Sequence, residues 1–448
     1  MTRQLELPLR SRGEAPRAQR SEEVRPATSK TERSGASGLM ELVLSRQNLQ
    51  AALKRVRQNK GSPGIDGMTV EELPAYLRDN WVRLREELRS GRYQPQAVRQ
   101  QEIPKRNGGV RKLGIPTVLD RFIQQAVLQV LQPRIDPSFS QHSHGFRPGR
   151  RAHDAVCEAQ SYVQSGRRWV VDVDLEAFFD RVNHDVLMGR LEKRIADVEV
   201  LRLIRRYLTA GIMANGVVVE RWEGTPQGGP LSPLLANVLL DEVDQQLSRS
   251  GAAFVRYADD CNVYVRSKRA GHRVMARLRR LYGKLRLKVN ESKSAVAPVW
   301  SRQFLGYAFW VAPGKVVKRR VADKALAAMK QRVRWQTRRI FGQSLETAAQ
   351  KLKDYLPGWK AYFRLADTPR VFAELDEWIR HRMRALQLKQ WKRGKTMYRE
   401  LLARGVSPRI AREVAANSRR WWSNSGHSLN AAMPISFFDH LGVPRLAA

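Results

Sequence analysis

Carboxylates set among apolar residues are the first feature of this sequence that could do chemistry. Asp172 and Asp174 lie in Trp169-Val-Val-Asp-Val-Asp-Leu-Glu-Ala-Phe-Phe-Asp180, a buried-strand pattern that runs into a turn. Strand alternation puts both on one face, with Trp169, Val171 and Val173 on the other. Asp259 and Asp260 lie in Ala253-Phe-Val-Arg-Tyr-Ala-Asp-Asp-Cys-Asn-Val-Tyr-Val265, a hairpin pattern with the pair at its tip. A turn chosen for folding alone would favour Asn-Gly or Asp-Gly there. Adjacent carboxylates repel, so their place between apolar strands points to a cation that needs them. Phosphoryl transfer supplies that need: two Mg²⁺ ions roughly 3.5 to 4 Å apart activate an attacking 3′-hydroxyl and stabilise the leaving pyrophosphate. Such hard cations take oxygen ligands. Taken singly, each Asp also fits a solvated turn residue.

The elements that must position these groups are legible around them. Between the two acidic segments, Gly224-Thr-Pro-Gln-Gly-Gly-Pro-Leu-Ser-Pro-Leu-Leu-Ala-Asn-Val-Leu-Leu240 reads as a Gly/Pro turn opening into an apolar helix, and glycine lets backbone approach a ligand closely. From about Leu73 to Ala312 short β-rich stretches, including Trp169–Asp174, Phe254–Val265 and Lys284–Val289, alternate with helical ones, an α+β pattern. A helix through Leu44, Leu49, Leu53 and Val56 precedes them and is stopped by Gly61-Ser-Pro-Gly-Ile-Asp-Gly67. Beyond Ala312 strand signals fade. Leu326, Met329 and Val333 form one helical stripe, and Phe372, Leu375, Ile379, Met383 and Leu386 another. Residues before Gly38 are rich in Arg, Ser, Glu, Pro and Ala and read as an arm disordered until bound.

With 81 Lys and Arg against 43 Asp and Glu in 448 residues, the chain carries a formal charge of +38. That excess repels itself in a compact free state but is offset on nucleic acid by released counterions. A hydrophobic fraction of 42% is high for a purely ribosomal or chromatin-type binder. Cys157 and Cys261 are the only cysteines, which leaves no disulfide framework and no CxxC metal module. No apolar run reaches the roughly 18 residues of a membrane span, and no signal-peptide core is present. The expectation is a soluble, cytoplasmic protein without a membrane partner.

In order, the Asp strand ending in Phe-Phe-Asp180, then Thr225-Pro-Gln-Gly-Gly-Pro-Leu-Ser-Pro233, then Tyr257-Ala-Asp-Asp260 resemble the successive palm motifs of reverse transcriptases. Ile103-Pro-Lys-Arg-Asn-Gly-Gly-Val-Arg-Lys-Leu-Gly-Ile-Pro116 and His144-Gly-Phe-Arg-Pro-Gly149 resemble the fingers motifs of the proteins encoded by bacterial group II introns. Leu287-Lys-Val-Asn-Glu-Ser-Lys293 and Phe304-Leu-Gly-Tyr307 resemble their closing palm motifs, and Tyr355-Leu-Pro-Gly-Trp-Lys-Ala-Tyr-Phe363 their thumb, or maturase, domain. The resemblance implies a right-hand polymerase: a disordered basic arm at 1–38, α+β fingers and palm at 39–312, an α-helical thumb/maturase domain at 313–395 and a small basic DNA-binding region at 396–448.

It also implies roles. Asp174, Asp259 and Asp260 would hold two Mg²⁺ ions. Lys105 and Arg111 would grip the triphosphate, in keeping with the use of Lys and Arg on transferring phosphoryl groups. Phe179 would lie beneath the incoming sugar and leave no room for a 2′-hydroxyl; as a residue type it fits a core aromatic equally well. Gln227 would meet the nascent pair or template, and Lys293 the pyrophosphate. Asp172 and Asp180 match no metal position and read as structural. Arg338, Arg339, Lys360 and Arg364, interleaved with Trp335, Trp359 and Tyr362, would bind intron RNA, some aromatics serving the core and some the surface. The function so implied is RNA-directed DNA synthesis from deoxynucleoside triphosphates, assistance to splicing of the intron RNA, and retrohoming into target DNA. Many relatives continue into an HNH endonuclease with a His and Cys cluster; none is legible in the given sequence up to Ala448, whose tail resembles the compact class C members. Two other readings fit the same residues: an RNA-binding splicing cofactor with a vestigial polymerase site, and a reverse transcriptase recruited elsewhere with no intron of its own.

Overall fold

The computed structural model describes residues 38–104, 110–214, 217–219, 222–226, 228–339, 342–426, 429–430 and 432–447. The arm expected at 1–38 lies, but for Gly38, outside them. So do Lys105 and Gln227, and of Arg111 only the backbone is described. The chain divides into two compact bodies. The first takes the chain to Arg150 with Asp172–Val263 and His272–Ala295; the second takes Arg151–Val171, Tyr264–Gly271 and everything from Val296.

Ten strands are described: β1 (Val98–Pro104), β2 (Val110–Ile115), β3 (Trp169–Val173), β4 (Ile212–Ala214), β5 (Val217–Val219), β6 (Ala253–Tyr257), β7 (Asp260–Val265), β8 (Ala295–Pro298), β9 (Tyr307–Val311) and β10 (Val317–Val321). In the first body β1 pairs antiparallel with β2, Arg99 opposite Ile115 through Pro104 opposite Val110, and parallel with β4, giving the order β2-β1-β4-β5. Following the β1–β2 hairpin, the helix Val118–Ile135 is buried along most of its length, Asp120 and Gln124 included. Its start is fixed by Thr117, whose hydroxyl accepts from the Asp120 N–H at 3.1 Å and donates to the Asp120 carboxylate at 2.7 Å. Tyr93 donates to the same buried carboxylate at 2.7 Å and the Gln96 N–H at 3.1 Å, so the burial of Asp120 leaves no lone acceptor. A second sheet has the order β6-β7-β3-β8.

Two sequence expectations need correction. Lys284–Val289 is not a strand. The helix Lys268–Lys284 ends on Arg286 at φ +58°, and the residues beyond it make a single bridge, Val289 to Leu175. The strand signal also does not fade at Ala312. Basic residues hide a hairpin in which β10, Val-Lys-Arg-Arg-Val, pairs antiparallel with β9; only its two end residues, Val317 and Val321, are buried, and Lys318, Arg319 and Arg320 between them are half-exposed. The expected boundary at 312/313 falls in the turn of that hairpin.

In the second body the helices Asp323–Gln336, Leu345–Phe363 and Pro369–Trp391 carry the two expected stripes: Met329 and Val333 are buried with Leu326 half-buried beside them, and Phe372, Leu375, Ile379, Met383 and Leu386 are buried. Trp359 packs on Phe363 with centroids 4.8 Å apart and edge-on to Phe372 at 5.9 Å. The C-terminal segment is tied to the long third helix, where the N–H groups of Leu446 and Ala447 donate to Asp376 at 2.9 to 3.0 Å. No helix among the described residues is long and apolar enough to cross a membrane.

Candidate active site

The first body brings Asp172, Asp174, Asp259 and Asp260 within electrostatic reach of one another. Asp172 projects from β3, whose Val170, Val171 and Val173 are fully buried, and Asp174 follows the strand's last residue. Asp174 is held at both ends of its backbone. Its N–H donates to the Ser294 hydroxyl at 3.0 Å, and its carbonyl accepts from the Asn290 N–H at 2.9 Å. Two residues on, the Glu176 N–H donates to the Lys288 carbonyl at 2.9 Å. The Leu287–Lys293 motif is therefore the clamp of the first acidic segment, and it delivers Lys293 Nζ to 3.4 Å from an Asp174 oxygen.

Asp259 lies in the turn between β6 and β7, and Asp260 opens β7. Ala258 carries the strain of that turn at φ +58°, and two features hold it. Arg256, 1% exposed, donates to the Ala258 carbonyl at 2.8 Å, to Asn237 at 2.9 Å and to both oxygens of Asp244 at 2.6 to 2.9 Å. Burial alone would pull the Arg256 pKa down; Asp244 more than reverses that and leaves it raised. On the other side, a Cβ on Gly145 would come within 2.1 Å of the Ala258 nitrogen, so only glycine allows the His144–Gly149 motif to lie against the turn. The His144 N–H donates to the Arg256 carbonyl at 2.9 Å, and Asn237 donates to the Gly145 carbonyl at 3.0 Å.

Sequence reasoning misses these supports, although a signal for them exists. Asn237, Asp241 and Asp244 interrupt the apolar helix Ser232–Arg249 at helical spacing, so they form one polar stripe facing inward. Buried polar stripes need partners, and the lone Arg of Phe-Val-Arg-Tyr is the available cation. Asn262 is a further support, since its amide, with nitrogen and oxygen assigned to satisfy both, donates to Asp172 at 2.9 Å.

Phe179 is placed by a second clamp. Its carbonyl accepts from the Thr225 N–H at 2.7 Å, and the Val182 carbonyl accepts from the Gly224 N–H at 2.7 Å. Thr225 donates to Ser232 at 3.0 Å and Ser232 to the Pro226 carbonyl at 2.8 Å, locking the Gly/Pro turn against Phe-Phe-Asp180. Phe178 takes the core position, which leaves Phe179 half-buried on the wall of a cavity of about 580 Å³ shared with Leu113, Arg121, Phe146, Gly228 and Gly229. Asp180 is exposed.

The carboxyl of Asp260 is pushed up to about 7, by burial first and then by Asp259, Asp172 and Asp174, with Lys293 opposing. Asp260 keeps an exposed face at the head of β7, and the three neighbouring carboxylates add their repulsion to the effect of its partial burial. Among the described residues no three His, Cys, Asp or Glu side chains form a ready-made metal cage. The donor set nevertheless suits Mg²⁺, which takes one or two carboxylates and fills its shell with water and substrate phosphate. Between about 4 and 7 the folded protein keeps a proton that the unfolded chain has lost, so ion-free stability falls as pH rises through that window. A divalent cation held by these carboxylates would have to displace the same proton. Thermal melts should therefore show a stabilisation by Mg²⁺ that grows as pH rises towards and past 7 and is much reduced in Asp260→Asn; a pH-independent Mg²⁺ effect would exclude this cluster as the ion's site.

Of the residues expected on RNA, Arg338 and Arg364 are exposed. Arg339 lies over Trp421 at 5.6 Å, and Lys360 donates to the Arg445 carbonyl at 3.0 Å, so Lys360 anchors the C-terminal segment. Trp359 and Trp391 are core, whereas Trp335 is 49% exposed beneath Arg332 at 4.8 Å.

Comparison with known proteins accounts for both bodies' motifs. The family described as reverse transcriptase (RNA-dependent DNA polymerase) matches residues 103–309, and the group II intron maturase-specific domain matches 326–405. Protein YkfC of Escherichia coli (strain K12) is 33% identical over 302 residues, 58% of this chain and 79% of that protein. The group II intron-encoded protein LtrA of Lactococcus lactis subsp. cremoris is 34% identical over 241 residues, 53% of this chain and 40% of LtrA. A chain of a solved partial Cas6-RT-Cas1--Cas2 complex matches at 27% identity with a TM-score of 0.36, covering 55% of this chain and 42% of its own. With the polymerase motifs and the maturase domain following one another in a single sequence, the chain belongs to the group II intron-encoded reverse transcriptases with a maturase domain.

Proposed function

We propose that the chain copies its intron RNA into DNA during retrohoming, by two-metal phosphoryl transfer at Asp174, Asp259 and Asp260, and that the same chain binds that RNA and assists its splicing. The observation that carries the catalytic half is the convergence of Asp172 and Asp174, at the end of β3, with Asp259 and Asp260 at the β6–β7 turn: the fold sustains a mutual repulsion of carboxylates that divalent cations would relieve. When bound, two Mg²⁺ ions would supply an activated 3′-hydroxyl and neutralise the charge of the leaving pyrophosphate.

The remaining work falls to side chains. We assign the triphosphate to Lys105, Arg111 and Lys293, whose Nζ stands 3.4 Å from Asp174, a carboxylate that would hold a metal ion. Gln227 is assigned to the nascent pair or template, and Phe179 to the face of the sugar, where its ring excludes a 2′-hydroxyl. Deoxynucleoside triphosphates and a DNA target are the corresponding substrates. For splicing, Arg338 and Arg364 with the cation-faced tryptophans offer phosphate and stacking contacts. The surplus of 81 basic over 43 acidic residues supports a broad polyanionic partner.

Phe179→Ala tests the substrate assignment. RNA-templated primer extension with deoxynucleotides should persist, while incorporation of ribonucleotides relative to deoxynucleotides rises by about tenfold or more, the scale of a one-pocket steric change. An unchanged sugar ratio would return Phe179 to a core role.

A further inference from the structure

The second body contains a cavity of about 1190 Å³ between the helix Pro369–Trp391 and the segment 425–447. The maturase-specific match ends at 405, so one wall belongs to the matched domain and the other lies beyond it. Arg380 and Arg384, one helical turn apart, line it and are 6% and 5% exposed. Burying two like charges at this spacing is costly unless they are answered. Their answer among the described residues is incomplete. Arg384 Nε donates to the Met433 carbonyl at 3.0 Å. Arg380 approaches Asp376 only at 3.8 Å, and that carboxylate already accepts from the N–H groups of Leu446 and Ala447. Arg380 Nε is buried without a hydrogen-bond partner among the described residues.

The rest of the lining says what kind of anion fits. The cavity is far larger than a phosphate needs and is of the size that takes a small organic ligand. Trp378 supplies aromatic surface, His381 lines the cavity with its ring stacked on Trp422 at 3.8 Å, and Asn430 and Ser436 supply polar edges. Around Trp378, Lys330, Arg334 and Arg382 stand at 5.5 to 5.9 Å from the ring, a positive approach to the cavity. Glu374 also lines it but is engaged by Arg370 at 3.0 Å, and Glu377 is exposed at the rim.

We propose that this cavity is a subsite for one looped-out nucleotide of the bound RNA, with its phosphate on Arg380 and Arg384 and its base against Trp378. Splayed, unstacked bases held on aromatic and arginine surfaces are how proteins read single-stranded RNA within a larger fold, and arginine is the side chain that recognises phosphate with more than one donor. The inference rests on the RNA-binding part of the proposed function.

Equilibrium dialysis of the full chain against labelled adenosine 5′-monophosphate tests it, with inorganic phosphate as the second probe. The expected result is saturable binding that Arg380→Gln weakens by about tenfold or more, the usual loss with a charge-assisted hydrogen bond. Ser436→Trp, at an exposed position, fills the cavity without touching the buried arginines; it should weaken binding as much and guards against misfolding of the first variant. RNA transcribed from the sequence flanking the reading frame should displace the nucleotide from the wild type. Equal binding by all three proteins, phosphate binding as tight as nucleotide binding, or simultaneous occupancy by nucleotide and RNA would each overturn the subsite. RNA affinity and primer extension measured on the same preparations judge the proposed function separately.

Discussion

Asp259→Ala is expected to remove primer extension on an RNA template by at least about a thousandfold, close to 4 kcal/mol of barrier, while the protein stays folded and RNA binding persists. The reason for the selectivity is where the turn's stability resides. Ala258, not Asp259, takes the left-handed conformation, and its fixation comes from the Arg256 donor and the close fit of Gly145. Truncating Asp259 opens no core and breaks no part of that support. It does remove a charge from the set that raises Asp260, so the cluster loses affinity for cations and the attack loses its electrostatic stabilisation. Protein-dependent splicing of the flanking RNA should survive in the same variant, because the basic helices of the second body carry none of these carboxylates. Extension with Mg²⁺ and deoxynucleotides, melting temperature and splicing rate are the three measurements. Activity within about tenfold of wild type, or roughly 1.4 kcal/mol, would sink the metal assignment; lost splicing in a folded variant would sink the maturase half.

The contrast between Asp259 and its supports shows what a single sequence makes legible. The acidic segments, the Gly/Pro turn and the helical stripes are local patterns, and period and turn chemistry suffice to read them. Strands β3, β6 and β7 and the buried stripe from Phe372 to Leu386 lie where that reading puts them. The illegible part is long-range. Nothing near Ser294 says that its hydroxyl holds a backbone N–H 120 residues away, and nothing near Gly145 says that Ala258 packs where its side chain would be. β10 is hidden for another reason: its Lys318, Arg319 and Arg320 dilute the strand signal because its burial rests on two valines. Lys360 reads as one more cation on a basic surface until the C-terminal segment supplies Arg445 as its acceptor.

Asp244→Ala is expected to destabilise the first body by about 3 to 5 kcal/mol, since it strands a buried guanidinium, out of a total stability of roughly 5 to 15 kcal/mol. Asp244 and Arg256 are 0% and 1% exposed, so solvent cannot compensate for the lost partner. Such an effect alone would say only that the pair is structural. The double variant Asp244→Ala with Arg256→Met separates structure from function. Removing both charges relieves the desolvation penalty that each single change leaves, and well-packed apolar replacements of buried ion pairs are often neutral or stabilising. The denaturation midpoint should therefore recover most of the loss. Extension should not recover, because a thioether side chain has no donor for the Ala258 carbonyl, which Arg256 holds at 2.8 Å in the wild type, or for Asn237, which in turn donates to Gly145. The turn that carries Asp259 and opens onto Asp260 would then be free to leave its left-handed conformation, and displacements near 1 Å at a reacting centre cost about a hundredfold. Denaturant melts and extension rates of the single and double variants decide the matter: full activity in the stabilised double variant would reduce the Arg256 network to packing, whereas stability without activity would assign it the positioning of the catalytic hairpin.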